Sequence, residues 1–363
     1  MRPTRVVVDL AAITANVAAL KAYVQGAIVC PAVKADGYGH GDVPVANAAV
    51  AGGADWLSVA TVEEGIRLRE AGVEVPILLL SEPTLSSVAS VIAWDLCATV
   101  YSQPFVQALA SLVSHPTSVH LKVDTGMHRV GATPEHALTL ARMITDIPNL
   151  ELEGVWSHLA VADSDPDFTH VQQQRFSNFL DSLGAAGIHP PIRHLANTAG
   201  IFAGHEYWFD MVRPGIGIYG LPPNPEVDPP VPLTVALRLE SAVSHIQRLE
   251  AGERPSYGRR RPLSREATVV TVPIGYADGY GRGLSEAEVL IGGARYPVAG
   301  TVTMDQILVD VGDAEISIGT PVVLIGRQGE DEITATELAD RLDTINYEVV
   351  ARLGSRLRRV YQP

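Results

Sequence analysis

The sequence predicts an α/β protein: an N-terminal (β/α)8 TIM barrel followed by a mostly β C-terminal domain. Two observations carry this. Short continuous apolar runs alternate with helical patterns through about the first 220 residues, as parallel strands covered by helices require. After a proline-rich break the pattern changes to apolar stretches separated by turn residues.

The chain opens with a short apolar stretch ending at Asp9. Leu10, Ile13, Val17, Leu20 and Val24 then follow the spacing of an amphipathic helix, with Asp9 placed to cap it. Eight apolar runs come next, at 27–33, 56–60, 76–80, 96–100, 119–123, 152–156, 192–196 and 210–212. Most are separated by helix-like segments such as 62–71, 104–113, 134–144 and 168–183. Eight such units point to a closed barrel. An open dinucleotide-binding sheet would want GxGxxG after its first strand, and none is there. Six prolines within 221–232 can continue neither a helix nor a central strand. We therefore expect a barrel over 1–225 and a mostly β domain over 226–363. The latter reads as β-rich at 233–246, 267–274, 296–302 and 306–311, with one helix at 334–342.

The 363 residues are 47% apolar and 19% charged, which suits a packed globular chain. Lys and Arg number 27 against 41 Asp and Glu, a formal charge of −14. That excess repels nucleic acid and anionic membranes, so neither is an expected partner. An anionic small ligand would need a positive site built locally. Two cysteines, Cys30 and Cys97, exclude a disulfide framework and fit a reducing compartment. No Cys/His spacing suggests a metal. The start is too brief for a signal-peptide core, and the longest apolar runs fall short of a membrane span. A cytoplasmic protein is expected.

Barrels carry chemistry at the C-terminal ends of their strands. The first run leads into PAVKADGYGHG at 31–41. A lysine ending an apolar strand costs desolvation energy unless its charge is used or removed. Desolvation lowers the amine's pKa and makes it a nucleophile toward carbonyls. The glycines permit close backbone approach, and Tyr38 supplies a hydroxyl.

This segment resembles the pyridoxal-phosphate lysine motif of bacterial alanine racemases. Further segments match in the family's order: LKVDTGMHRVG at 121–131, SH at 157–158, HLANT at 194–198 and VRPGIGIYGL at 212–221. They continue with SYG at 256–258, PIGYADG at 273–279, MDQ at 304–306 and TINYE at 344–348. The resemblance spans essentially the whole chain.

The resemblance implies a pyridoxal 5′-phosphate enzyme that interconverts L- and D-alanine and supplies D-alanine for peptidoglycan. Lys34 would hold the cofactor and act as one base, with Tyr257 as the second. A tyrosine, ordinarily titrating near about 10, needs its phenolate stabilised for that role. Tyr257 lies in the second domain, which in the family covers the barrel mouth of another subunit. A head-to-tail homodimer with shared sites follows from the resemblance. Arg213 would face the pyridine nitrogen; a guanidinium does not readily give up a proton, which favours reprotonation at Cα. His158 would pack by the ring, and His194 would support Arg213. The phosphate would meet Tyr38, Asn197, Thr198 and the N–H groups of Gly215 and Ile216. Arg129 and the N–H of Met304 would take the substrate carboxylate, Tyr276 would narrow the entrance, and Lys122 would be carbamylated to steady Arg129.

Three positions depart from the family pattern. His128 stands where glycine is usual, Thr198 replaces a common serine, and Ser355 stands where many members have a phosphate-reaching tyrosine. Alternatives are a broad-specificity or serine racemase of the same fold, or a non-catalytic carrier of the cofactor. A barrel decarboxylase would place a carboxylate at the pyridine nitrogen, where this chain offers Arg213. Known carriers resemble the barrel alone, without a domain bearing Tyr257.

Overall fold

In the computed structural model, which describes residues 2–363, the chain divides into two units. One consists of Ala11–Gly37 and Asp42–Val235. The other takes the chain up to Leu10, Tyr38–Gly41 and Ala236–Pro363.

The strand β1 (Arg5–Asp9) belongs to the second unit. The first unit holds β2 (Ile28–Val29), β3 (Leu57–Val59), β4 (Ile77–Leu79), β5 (Ala98–Val100), β6 (Thr117–Lys122), β7 (Leu150–Trp156), β8 (Ile192–His194) and β9 (Met211–Val212). Parallel pairing runs from β5 through β6, β7, β8 and β9 and returns to β2. β3 pairs with β4, and the parallel bridges Ala32–Ser58 and Leu78–Cys97 join that pair to β2 and β5. The eight strands therefore form a closed ring, as the eight apolar runs predict. Every residue of β3, β4 and β5 is buried, which is why those runs show no alternation. Cys30, Trp56, Leu78, Cys97, Ile192 and Met211 pack into one core cluster.

The covering helices begin where the local chemistry says they should. Thr61 and Glu64 form a reciprocal capping box for the helix Val62–Glu70. Ser102, Thr133 and Asp165 cap the helices Gln103–Leu112, Pro134–Asp146 and Pro166–Ala185, each with proline in its first turn.

In the second unit, β10 (Leu237–Ala242), β11 (His245–Leu249), β12 (Ala267–Val272), β13 (Glu288–Ile291), β14 (Ala294–Pro297), β15 (Ile307–Gly312), β16 (Pro321–Gln328), β17 (Asp331–Ile333) and β18 (Arg358–Gln362) form two sheets. One runs β14-β13-β16-β10-β1-β18 with β17 beside β16, and the other runs β11-β12-β15. The sequence reading began the barrel at residue 1. Instead β1 lies between β10 and β18, with Val6, Val7 and Val8 buried. Local pattern shows that such a strand wants burial on both faces; it cannot show which distant strands supply it. The run expected at 233–246 is also two strands, β10 and β11, broken near Val243. Among the described residues no helix is long and apolar enough to cross a membrane.

The proline-rich stretch closes against the barrel at Gly220. Its φ is +80°, and a Cβ there would lie 1.9 Å from the Thr234 carbonyl oxygen. Gly220→Ala should therefore destabilise the protein by more than about 1 kcal/mol, measured as a lower urea midpoint with an unchanged slope.

Candidate active site

Lys34 is half-buried where the chain leaves the first barrel strand. The next residues wind the unusual way: φ is 54° at Ala35, 54° at Asp36, 58° at Gly37 and 51° at Tyr38. A left-handed turn costs about 1–2 kcal/mol per non-glycine residue, and such strain persists where the surroundings impose it. Glu64 is part of that imposition. Its Oε1 accepts from the Ala35 N–H at 2.7 Å and its Oε2 from the Ala60 N–H at 2.8 Å. The helix-capping carboxylate thus also clamps the lysine turn. Burial lowers the Lys34 pKa, helped by the positive charge of Arg129 and opposed by Glu64.

Lys122 and Arg213 are both buried and share Trp156 as a platform. The Lys122 Nζ lies 3.9 Å from the ring centroid, and the Arg213 guanidinium carbon lies 4.5 Å from it. Burial, then Arg213, Arg129 and Lys34, push the Lys122 pKa down to about 7. Burial lowers Arg213 to about 10, which leaves it a cation near neutral pH. Arg213 donates to the carbonyls of Ser157 at 2.8 Å and Leu195 at 3.1 Å, and to His194 Nδ1 at 2.8 Å. His158 Nδ1 lies 3.4 Å from the same guanidinium. Burial, and the charges of Arg213, Lys122, Arg129 and Lys34, hold the His158 pKa well below its ordinary value. Its imidazole is neutral. Four basic side chains, Lys34, Lys122, Arg129 and Arg213, thus converge in a chain of net charge −14, making the local positive site an anionic ligand needs.

Arg129 is exposed at the end of a turn organised by Asp124. The Asp124 carboxylate accepts from the Gly126 N–H at 2.9 Å and the His128 N–H at 3.1 Å. His128 has φ of 56°, a conformation that explains the family's glycine. Here the histidine side chain meets Asp124 at 2.9 Å, an interaction that offsets the strain.

The loops after β8 and β9 lock together. Thr198 Oγ1 accepts from the N–H of Gly215 at 2.8 Å and of Gly217 at 3.3 Å. Asn197 caps the helix Thr198–Ala203 by accepting from the Gly200 N–H at 2.9 Å. Asn197, Thr198, Gly215 and Ile216 are thus held in one place, while Tyr38 lies in the second unit, its ring centroid 6.2 Å from that of Tyr347.

Tyr257, Tyr276 and Met304 belong to the second unit, at 72%, 41% and 52% exposure. Two turns present them, and one segment backs both. Thr301 accepts from the Ser256 hydroxyl at 2.6 Å through its carbonyl and donates its own hydroxyl to the Tyr257 carbonyl at 2.9 Å. The Tyr276 N–H donates to Thr303 O at 3.0 Å and the Ala277 N–H to Met304 O at 3.1 Å. The buried Asp278 fixes the second turn, accepting from the Gly275 N–H and from both terminal nitrogens of Arg2. Three large side chains exposed on one chain are positioned by their backbones, with faces free to meet something else.

Sequence reading missed Glu64 and Trp156 as parts of the site. The capping box at Thr61 and Glu64 signals only a helix start. A tryptophan ending an apolar strand reads as core until the neighbouring strands show which cations lie against it.

The family description "Alanine racemase, N-terminal domain" matches residues 8–223, and "Alanine racemase, C-terminal domain" matches residues 236–361. The chain is 46% identical over 367 residues to a protein of Symbiobacterium thermophilum named alanine racemase, covering 99% of this chain and 97% of that one. A protein of Frankia casuarinae with the same name is 44% identical, with 98% and 95% covered. The crystal structure of alanine racemase from E. faecalis superposes with a TM-score of 0.95 at 38% identity, covering 99% and 98% of the two chains. That from Bacillus anthracis, solved with L-Ala-P bound, gives 0.95 at 36% identity, with 100% and 96% covered.

Lys122 generates a pH test. Its folded-state pKa of about 7 lies below the ordinary 10.5, so between those values the unfolded chain holds a proton the folded chain has lost. Stability then rises with pH across that window; below about 7 both states are protonated and the burial cost is present in full. Lys122→Met should flatten this slope in carbon-dioxide-free buffer, as read from urea unfolding at pH about 6 and about 9.

Proposed function

Because the chain belongs to the alanine racemase family, matched along both of its parts, we propose that it interconverts L- and D-alanine using pyridoxal 5′-phosphate. The observation that carries this reading is the half-buried amine of Lys34, set beside Lys122, Arg129 and Arg213 at one end of a barrel in an acidic protein. The donor set fits the cofactor: one amine of lowered pKa, a buried guanidinium, a neutral imidazole, and a hydroxyl with backbone N–H groups gathered in adjoining loops.

When bound, the cofactor supplies an electron sink that stabilises negative charge at the substrate's Cα. Lys34 would hold it covalently and would move a proton at one face of Cα. Tyr257 moves the proton at the opposite face, so inversion needs no migration of a single base. Arg213, held as a cation by its carbonyl and imidazole acceptors, would sit by the pyridine nitrogen. His158 would pack by the ring. Thr198 through its hydroxyl proton, Asn197 and the Ile216 N–H would take the phosphate, and the Gly215 N–H would join them on leaving Thr198 Oγ1. Arg129 and the Met304 N–H take the substrate carboxylate, and Tyr276 narrows the way in, since overfilling a small cavity is costly.

Lys122 has the lowered pKa that leaves an amine neutral enough to take up carbon dioxide. Carbamylated, it becomes an anion that steadies Arg129; an intact mass showing the bare amine in bicarbonate would remove that role. The exposed Tyr257, Tyr276 and Met304 support a head-to-tail homodimer in which each site is completed by the other subunit. Two buried free thiols suit a reducing cytoplasm, where D-alanine would serve peptidoglycan synthesis.

The decisive experiment is racemisation of a panel of L-amino acids, read by chiral chromatography with and without added cofactor. Alanine should turn over fastest; a serine or broad profile would transfer the function to a sister specificity. Lys34→Ala should lose both turnover and the visible absorbance of bound cofactor.

Tyr257→Phe should keep the absorbance and exchange the α-hydrogen of only one enantiomer for solvent deuterium, without inversion. Mixing these two inactive variants and allowing subunits to exchange should restore about a quarter of the activity. No recovery after demonstrated exchange would argue against shared sites.

A further inference from the structure

Behind Arg213 a file of polar groups runs into the barrel core, and the cofactor reading does not use its far end. His194 Nε2 lies 2.8 Å from His120 Nδ1, with both rings fully buried. Among the described residues His120 Nε2 has no hydrogen-bond partner, and the nearest carboxylate oxygen is Glu153 Oε2 at 3.6 Å. Two features of β7 and one neighbouring ring build this end. Between β6 and β7 the register slips: Val119 pairs with Leu152, but His120 pairs with Gly154, leaving Glu153 as the extra residue of a bulge. A bulge re-aims side chains. Gly154 lets the imidazole in, since a Cβ there would lie 2.4 Å from His120 Nδ1. Trp56 covers the same ring, with centroids 5.3 Å apart.

The direction of donation follows from Arg213. A guanidinium has only donors, so His194 Nδ1 must accept and its proton must sit on Nε2. His120 Nδ1 then accepts from His194, and the His120 proton sits on Nε2, facing Glu153. Both imidazoles are neutral, in agreement with burial lowering their pKa values. We propose that Glu153 is a positioning residue for Arg213: its carboxylate, facing the His120 Nε2–H at 3.6 Å, acts together with Arg213 at the other end of the file to hold His120 and His194 as Nε2–H tautomers, and so keeps an acceptor behind the guanidinium. The assignment of a purpose to Arg213 rests on the cofactor reading above; the tautomers do not.

A metal is the competing occupant, because ligand atoms of Cys97, His120 and Glu153 lie within 4.8 Å of one another. A metal on His120 Nε2 would move that ring's proton to Nδ1 and the His194 proton to Nδ1, where it would meet the Arg213 N–H head on. Burial and the neighbouring Glu153 also keep the Cys97 thiol well above its ordinary pKa, hence protonated. The geometry therefore favours the file of donors.

The test is ¹⁵N-histidine NMR of the holoenzyme beside steady-state kinetics. In the wild-type protein both His120 and His194 should carry their proton on Nε2. Glu153→Ala should give His120 a mixture of tautomers and lower kcat by about tenfold to a hundredfold, with KM for alanine little changed. Glu153→Gln, which keeps an accepting oxygen, should restore the tautomer and most of kcat. The wild-type spectrum decides even if the alanine variant fails to fold: a proton on His120 Nδ1 overturns the proposal. So does an equivalent of zinc bound to the wild type and lost in Glu153→Gln, or an alanine variant with unchanged spectra and kcat. If instead the tautomers stand as stated while no amino acid is racemised, the functional reading fails and the positioning role of Glu153 does not.

Discussion

A guanidinium buried inside a β-barrel is the constraint from which the site's architecture follows. Among the described residues no carboxylate contacts Arg213 directly; it is satisfied by the Ser157 and Leu195 carbonyls and by His194. A buried cation without such acceptors would be severely penalised. The ends of β7 and β8 must therefore stop where their carbonyls reach the fork of the guanidinium. His194 must accept rather than donate, and Trp156 must lie flat against the cation. The same ring also carries Lys122, whose amine is pushed toward neutrality by the company it keeps. Charge, tautomer and aromatic placement are thus one arrangement seen from three sides.

Around that arrangement the chain accepts local strain where chemistry needs a backbone to turn sharply. The left-handed turn after Lys34 is held by Glu64 from a neighbouring helix start. His128 adopts a conformation suited to glycine and offsets it with a contact to Asp124. The β7 bulge admits His120 and turns Glu153 toward it. In the first two cases a carboxylate holds a conformation that the backbone alone would leave.

The β-rich unit does related work by simpler means. Tyr257 and Tyr276 are displayed by turns that Thr301, Thr303 and Asp278 tie down through backbone groups. Their side chains stay exposed while their backbones are held. Rigid backing with a free face is what a residue needs if it is to complete a site elsewhere.

The sequence by itself determined the eight barrel strands, most of the covering helices and the change of pattern after the prolines, because periodicity and capping are local properties. It also made Lys34 conspicuous, since an amine at the end of an apolar strand conflicts with its surroundings. The tertiary structure alone decided that Arg5–Asp9 joins the β-rich unit, that Trp156 underlies two cations, and that Glu153 and His120 face each other across a bulge. Those facts depend on which distant segments meet. Pairing partners, register slips and the burial of one charge against another are energies of contact between chain segments, and no stretch of sequence contains them alone.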